Sequence, residues 1–323
     1  MRLRLLFCTV CCITLAACLS QNGSARLSPE EVLQKAADAT QTLRSAQYVA
    51  QGNFDAALDA WLAEGTVRMN GSLNDAGEQL HFQVDVMANI RDGKEEYTAQ
   101  GNLEVSLLSR DEVYMNVHSL SSEPPNAIFR PEVLRNLTDR WWLLPPGDTP
   151  PEAVGMTPDP RLLQIQSQVV TVSKNRGMET IEGRETYHYD VTLDPEKLLE
   201  YLSTLAAERG EAFDAAKVRQ DLSGIKASGE LWIDAGTFYM QKISWNVQQI
   251  PIEGGGTASA SVTITFRNHN TAPDLEPPAG AMPFSPAIFF TLPDDAIFPE
   301  EIPAGGATGL DEANIEDILR SLE

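Results

Sequence analysis

Between Ala46 and Leu120 apolar and polar side chains alternate with a period of two, most strictly in Leu80-His81-Phe82-Gln83-Val84-Asp85-Val86. Successive side chains of an extended chain point to opposite faces, so this run has one apolar face and one polar face. Leu103, Val105 and Leu107 repeat the pattern, and so do Val113, Met115 and Val117. A strand that buries one face and wets the other belongs in an antiparallel sheet. Asp92-Gly93 between two such runs marks a tight hairpin, and Asn74 to Gly77 a looser one.

The pattern returns later in the chain. Trp141 to Leu144 reads as a short strand, Val169 to Val172 as another, and Thr186 to Leu193 as a third with Tyr187, Tyr189, Val191 and Leu193 on one face. Three more follow: Ala227 to Asp234 with Leu231 and Ile233 together, Phe238 to Ile250 with Ile243, Trp245 and Val247, and Thr257 to Asn268 with Val262, Ile264 and Phe266. Ala235-Gly236 and Gly254-Gly255-Gly256 join them. About ten or eleven strands, with helices only at the start and in one late insert, predict an α+β domain built on a large curved antiparallel sheet.

Helices are few and well marked. Ser28-Pro29-Glu30-Glu31 combines an N-cap serine, a proline at the first helical position and a glutamate at the third, which is a capping box. Val32, Leu33, Ala36, Ala39, Thr40 and Leu43 then form an apolar stripe. Asp194-Pro195 caps a second helix to about Arg209, striped by Leu198, Leu199, Leu202 and Leu205, and Phe213 to Leu222 makes a third. Pro131 to Leu137 and Pro158 to Gln168 read as further short helices. The apolar face of the sheet therefore has two covers, with Leu33, Ala36 and Leu43 in the first and Leu198 and Leu202 in the second. If they cover it fully, the face is an ordinary core. If they cover it partly, an apolar cavity remains, lined by Phe82, Val84, Leu103, Val105, Met115, Val117, Tyr189, Leu231, Ile233, Trp245, Val247, Ile264 and Phe266, and such a cavity excludes water.

The N-terminus says where the domain works. Arg2 and Arg4 precede an apolar run from Leu5 to Leu15, too short to span a bilayer, as in a secretory signal peptide. Leu15-Ala16-Ala17-Cys18 at its end resembles the lipobox of a bacterial lipoprotein. That resemblance implies a diacylglycerol thioether on Cys18, cleavage before it to remove residues 1–17, and acylation of the new amino terminus with a palmitate-like chain. The alternative is an ordinary signal peptide that contains cysteines. Residues 18–27 then read as a polar tether. All four cysteines lie in the first eighteen residues, so the mature chain has neither a disulfide framework nor a cysteine metal site. The net charge of −22, still more negative without Arg2 and Arg4, repels nucleic acid and anionic headgroups. Membrane attachment then falls to the acyl chains, at ~0.8 kcal/mol per buried CH₂.

Catalytic and cofactor signals are lacking. His81, His118 and His188 each have the parity opposite to their strand's apolar stripe, which puts them on the outer face without a shared pocket; His269 is the fourth histidine. There is no nucleophile elbow, no His-Glu-x-x-His and no phosphate loop, since Gly305 to Gly309 lacks both the preceding strand and the following lysine. The reading is a non-enzyme with no cofactor and no metal. Residues 271–304 are dense in proline, which excludes a regular helix or a central strand, and their aromatics argue for packing along the domain or a partner. Residues 305–323 hold a glycine linker and an amphipathic helix from Asp311, which reads either as a frayed acidic tail or as a docking peptide for an envelope protein.

The order of elements over residues 28–270 resembles the LolA/LolB-like superfamily, and within it the LppX and LprG type lipoproteins. The residues that carry the likeness are the first helix stripe, the meander, Arg140-Trp141-Trp142, the late helical pair and Gly229-Glu230-Leu231-Trp232-Ile233-Asp234. The resemblance implies an unclosed β-barrel around a helix lid, with an apolar cavity for acyl chains, and hence binding and transfer of a lipid or acylated ligand in the cell envelope. Residues alone leave a second class open, a lipid-anchored interaction or sensor module with a filled core.

Overall fold

The computed structural model describes residues 27–109, 111–125, 134, 136–145, 169–209, 212–252 and 254–284. The expected signal peptide, Cys18, the tether, the helix at 158–168, residues 285–304 of the proline-rich stretch and the C-terminal helix lie outside the described residues; of the helix expected at 131–137, only Leu134, Asn136 and Leu137 lie within them.

Helix α1 (Pro29–Thr40) starts as its capping box requires: the Ser28 hydroxyl accepts from the Glu31 amide at 3.2 Å, and the Glu31 carboxylate accepts from the Ser28 amide at 2.8 Å. The first meander is β1 (Ala46–Leu58), β2 (Trp61–Asn74), β3 (Gln79–Asp92), β4 (Glu95–Ser109) and β5 (Glu112–Glu123), followed by β6 (Trp141–Leu143). The second is β7 (Val170–Ile181), β8 (Arg184–Leu193), β9 (Lys226–Asp234), β10 (Met240–Ile252) and β11 (Gly256–Arg267), with α2 (Pro195–Arg209) and α3 (Ala215–Leu222) inserted after β8. The two-residue β12 (Met282–Pro283) ends the described domain.

All twelve strands form one sheet in the order β12-β6-β5-β4-β3-β2-β1-β11-β10-β9-β8-β7. Every neighbour is antiparallel except β12 and β6. The two edges do not pair with each other, so the sheet stays unclosed. β1 lies at the seam, paired with β2 on one side and with β11 on the other, from Gln47↔Arg267 to Ala57↔Thr257. The fold is therefore the expected α+β unclosed barrel.

Strand β7 is much longer than its apolar stretch suggests. Ser173-Lys174-Asn175-Arg176 has no alternation, because an edge strand has little to bury. Two bulges in its pairing with β8 and two cationic side chains guard this edge against adding a further strand.

Helices α2 and α3 are capped by Asp194 and Asp214, whose carboxylates accept from amides of the first turn at 3.0–3.2 Å. Arg219 of α3 reaches back to both Glu196 oxygens at 3.0 and 2.9 Å. Beyond β11, Asn270 accepts from the Arg44 amide at 2.6 Å, the Asn74 amide side chain donates to the Pro273 carbonyl at 2.6 Å, and Phe284 meets Trp142 edge-on at 6.0 Å.

The β9–β10 turn is built on Asp234, which is 5% exposed. Its carboxylate accepts from Gly236 N (2.9 Å), Thr237 N (2.7 Å), the Thr237 hydroxyl (2.9 Å) and Arg184 (3.2 Å). Burial alone would raise its pKa, but these donors outweigh burial and hold it below the usual carboxylate value. A lowered folded-state pKa contributes stability above the unfolded pKa that is lost as pH falls through the folded one. Asp234→Ala should therefore cost ~2 kcal/mol at neutral pH and progressively less in acid, a convergence that urea unfolding of both proteins at pH 7 and pH 2 checks.

Candidate functional site

The inner, apolar face changes character along its length. At the end beneath α1 its residues are large: Tyr48, Met69, Leu73, Leu80, Phe82, Ile243 and Phe266 pack with Val32, Leu33, Ala36 and Leu43 in one buried cluster. Further along the same strands, on the same parity, small residues come in among Phe54, Ile90, Tyr97 and Ile250. The small ones are Ala56 on β1, Ala63 and Gly65 on β2, Ala88 on β3, Ala99 and Gly101 on β4, and Ala258 and Ala260 on β11. Short side chains make this stretch of the face shallower than the end beneath α1, and Ala63 and Ala88 are themselves buried, at 6% and 8% exposed. Aromatic rings lie across glycines here: a Cβ on Gly65 would fall 2.6 Å from the Phe54 ring, and one on Gly229 would fall 2.8 Å from the Trp245 ring. Glycine lets these rings lie flat on the backbone, which keeps them low on the sheet.

The residues named from sequence divide accordingly. Phe82, Val84, Tyr189, Leu231, Ile233 and Phe266 belong to the packed cluster, and Tyr189, Leu231 and Ile233 are fully buried. Leu103, Val105, Trp245 and Ile264 are half-buried and border it. Val247 is half-buried and pairs with Ala260, in the small-residue region. Met115 is half-buried, while Val117 is 2% exposed beside Thr138. Of the helix residues, Leu33, Ala36 and Leu43 pack in the cluster, whereas α2 buries Leu199 and Ala206 and leaves Leu198 and Leu202 half-buried. Phe54 and the small inward residues escaped the sequence reading, although Phe54-Asp55-Ala56 continues the alternation.

Two polar atoms sit within the apolar cluster. The hydroxyls of Tyr48 and Tyr189 are buried with no hydrogen-bond partner. Burial raises the Tyr48 pKa well above that of free tyrosine and pushes Tyr189 up to about 12, with smaller contributions from Tyr187 and Glu30.

The outer face carries the histidines, as parity requires, but two of them meet. His81 Nε2 and His118 Nε2 lie 3.2 and 2.8 Å from the two oxygens of Glu104. A bulge places two residues, His118 and Ser119, where the ladder expects one, and this brings His118 across to β4. His188 stacks on Trp232 at 4.3 Å and sets its ring nitrogens 2.8 Å from Glu179 and from Glu230. Lys242 covers the Trp232 ring at 4.2 Å. His269 stacks on Tyr239 at 5.0 Å and donates to the Met240 carbonyl at 3.0 Å; burial, more than any charge, lowers its pKa.

Among the described residues, His188, Asp190 and Glu230 could together hold a metal ion, with one donor atom each within 4.8 Å. Their donors are already engaged. Arg176 holds both Asp190 oxygens at 2.8 and 2.9 Å and keeps its carboxyl below the usual range, and Glu179 holds the second His188 nitrogen. The arrangement fits an ion-pair network fastening edge strand β7 and its neighbour β8 to β9.

No helix of the described residues is long and apolar enough to cross a membrane. No family model and no curated protein matches this chain. Solved structures do. LprF from Mycobacterium bovis is similar at 17% identity over 78% of this chain and 99% of its own, with a TM-score of 0.39. The Mycobacterium tuberculosis lipoprotein LppX is similar at 13% identity over 77% of this chain and 100% of its own, with a TM-score of 0.33.

Proposed function

We propose that this chain is an exported lipoprotein, tethered through a diacylglycerol thioether on Cys18 at a cell membrane or outer envelope layer, that holds a lipid or acylated ligand on the inner face of its sheet. The observation that carries the reading is the change from large to small side chains along one continuous apolar face. Tyr48, Phe82 and Phe266 fill the end beneath α1, and the alanines and glycines beyond, set among Phe54, Ile90 and Tyr97, make a shallower stretch of the same face on which an apolar ligand fits. An acyl chain suits that stretch, because it is narrow, needs no hydrogen bonds and gains ~0.8 kcal/mol for each methylene removed from water. The acidic surface makes a covalent anchor the natural means of holding the domain beside a bilayer, and the acyl-binding face then lies within reach of membrane lipid. Transfer to a partner, with the C-terminal helix as docking peptide, is the extension of this reading.

The test compares two proteins that both lack the anchor. Cys18→Ser protein, extracted with organic solvent or sprayed under native conditions for mass spectrometry, should release co-purified lipid. Adding Val247→Arg should remove the lipid with little loss of stability, about 1 kcal/mol or less, because Val247 lies beyond the packed cluster. Repeated absence of lipid from well-folded Cys18→Ser protein would count decisively for a filled-core interaction module.

A further inference from the structure

The polar face of the sheet carries a depression where the small residues line its other side. A groove of about 470 Å³ crosses β3, β2, β1, β11 and β10 there, within the range of ~300–1,000 Å³ typical of small-molecule sites. Asn53, Thr66, Asn246, Gln248, Ser259 and Ser261 line it. Among the described residues, none of these six side chains makes a hydrogen bond within the protein. Their donors and acceptors all face the groove or solvent.

This composition is unusual for the middle of long strands. Asn is depleted in strands, and threonine or valine would serve a merely wetted face better. The amides each offer two donors and one acceptor oxygen, and the hydroxyls offer both. Asp55 and Glu64 add acceptors and a negative charge, which disfavours anions. Met87, 48% exposed, is one of few large apolar side chains exposed among the described residues, and it lies at the β3 side of the same groove. At the β10 side a bulge inserts Gln248 and Gln249 opposite Ser259, with Gln249 at φ +60°, a conformation that costs free energy at a non-glycine residue. The bulge breaks the alternation at the point where Gln248 enters the groove.

We infer that this groove binds an uncharged, polyhydroxylated ligand, a neutral glycan. A sugar ring presents hydroxyls that both donate and accept, which the amide and hydroxyl rows match, and an apolar C–H face, which Met87 matches. Neutral sugar reaches an envelope protein either as polysaccharide or as a glycolipid headgroup, and the groove chemistry is the same for both. It lies on the face opposite the proposed acyl site, so the two can be tested apart.

The experiment uses full-length protein in detergent micelles, titrated by calorimetry with mannohexaose, maltohexaose and cellohexaose, and with hexagalacturonate as the charged counterpart. At least one neutral hexasaccharide should bind with Kd below ~5 mM, and hexagalacturonate should bind more weakly. Asn53→Ala/Asn246→Ala should weaken binding by about tenfold or more with an unchanged melting curve, and Gln248→Ala alone serves if that double variant fails to fold. Val247→Arg, on the opposite face, should bind the glycan normally. Vesicles with digalactosyldiacylglycerol, set against phosphatidylcholine alone, separate the sources: groove-dependent binding to these vesicles without hexasaccharide binding assigns a glycolipid headgroup, and the reverse assigns polysaccharide. If no neutral sugar binds in either form, or if the groove variants bind as the parent does, the inference is overturned.

Discussion

Leu231→Asp should abolish the folded state, seen as loss of the near-ultraviolet circular dichroism signal and of a cooperative melting transition. Leu231 is fully buried, and its two cross-strand partners, Tyr189 on β8 and Ile243 on β10, are fully buried as well. A carboxylate there has no cation to pair with in the apolar cluster. Stranding it costs several kcal/mol, whether the group stays ionised or takes up a proton. Against a total stability of ~5–15 kcal/mol, that loss leaves little. A folded Leu231→Asp protein would mean that the cluster beneath α1 is far looser than its burial indicates. The contrast with Val247→Arg is informative, because both positions face inward, yet one should unfold the domain and the other only empty it.

The second large effect is expected at Gly71. A methyl group there would lie 2.8 Å from the Tyr48 hydroxyl, 2.8 Å from Phe82 Cβ, and closer still to the His81 carbonyl on the neighbouring strand. The carbonyl belongs to the ladder and cannot swing away, so Gly71→Ala should destabilise by ~3 kcal/mol, a drop of roughly 6–12 °C in Tm for a domain of this size. Tyr48→Phe in the same chain should recover part of that loss. It removes one of the two side-chain atoms nearest the new methyl group, and that hydroxyl has no hydrogen-bond partner to lose. A Gly71→Ala protein as stable as its parent would show that β2 and β3 can move apart at this point.

Local chemistry made much of this fold legible. The Ser28 capping box, the Asp92-Gly93 hairpin and the strict alternation of β3 each depend on neighbours within a few residues, and each stands where the sequence puts it. The exposed edge was harder, since residues 173–181 bury too little for a period to emerge. The meeting of His81 and His118 on Glu104 was hidden because it depends on the register of β3, β4 and β5 and on a bulge at His118, which alternation does not give. The inner face was legible as apolar but not as graded: Ala63 or Gly65 reads as a weak strand residue until the register sets it beside Ala88 and Ala56. The polar groove has no motif at all. Its side chains come from strands up to about 200 residues apart, brought together only by the β1–β11 pairing.

That seam also dictates an order of events. Strand β1 finds β2 within a few residues, but its other partner is made only after the whole of the second meander has been synthesised, with Gln47 waiting for Arg267. Until then a thirteen-residue strand offers a long row of unpaired amides and carbonyls, and the half-built sheet has an adhesive flank. Loop closure over such a span is slow compared with hairpin formation. The nascent chain therefore passes through a stage in which its central strand is a lateral edge, when a second chain at the same stage is its chief competitor for β11's place.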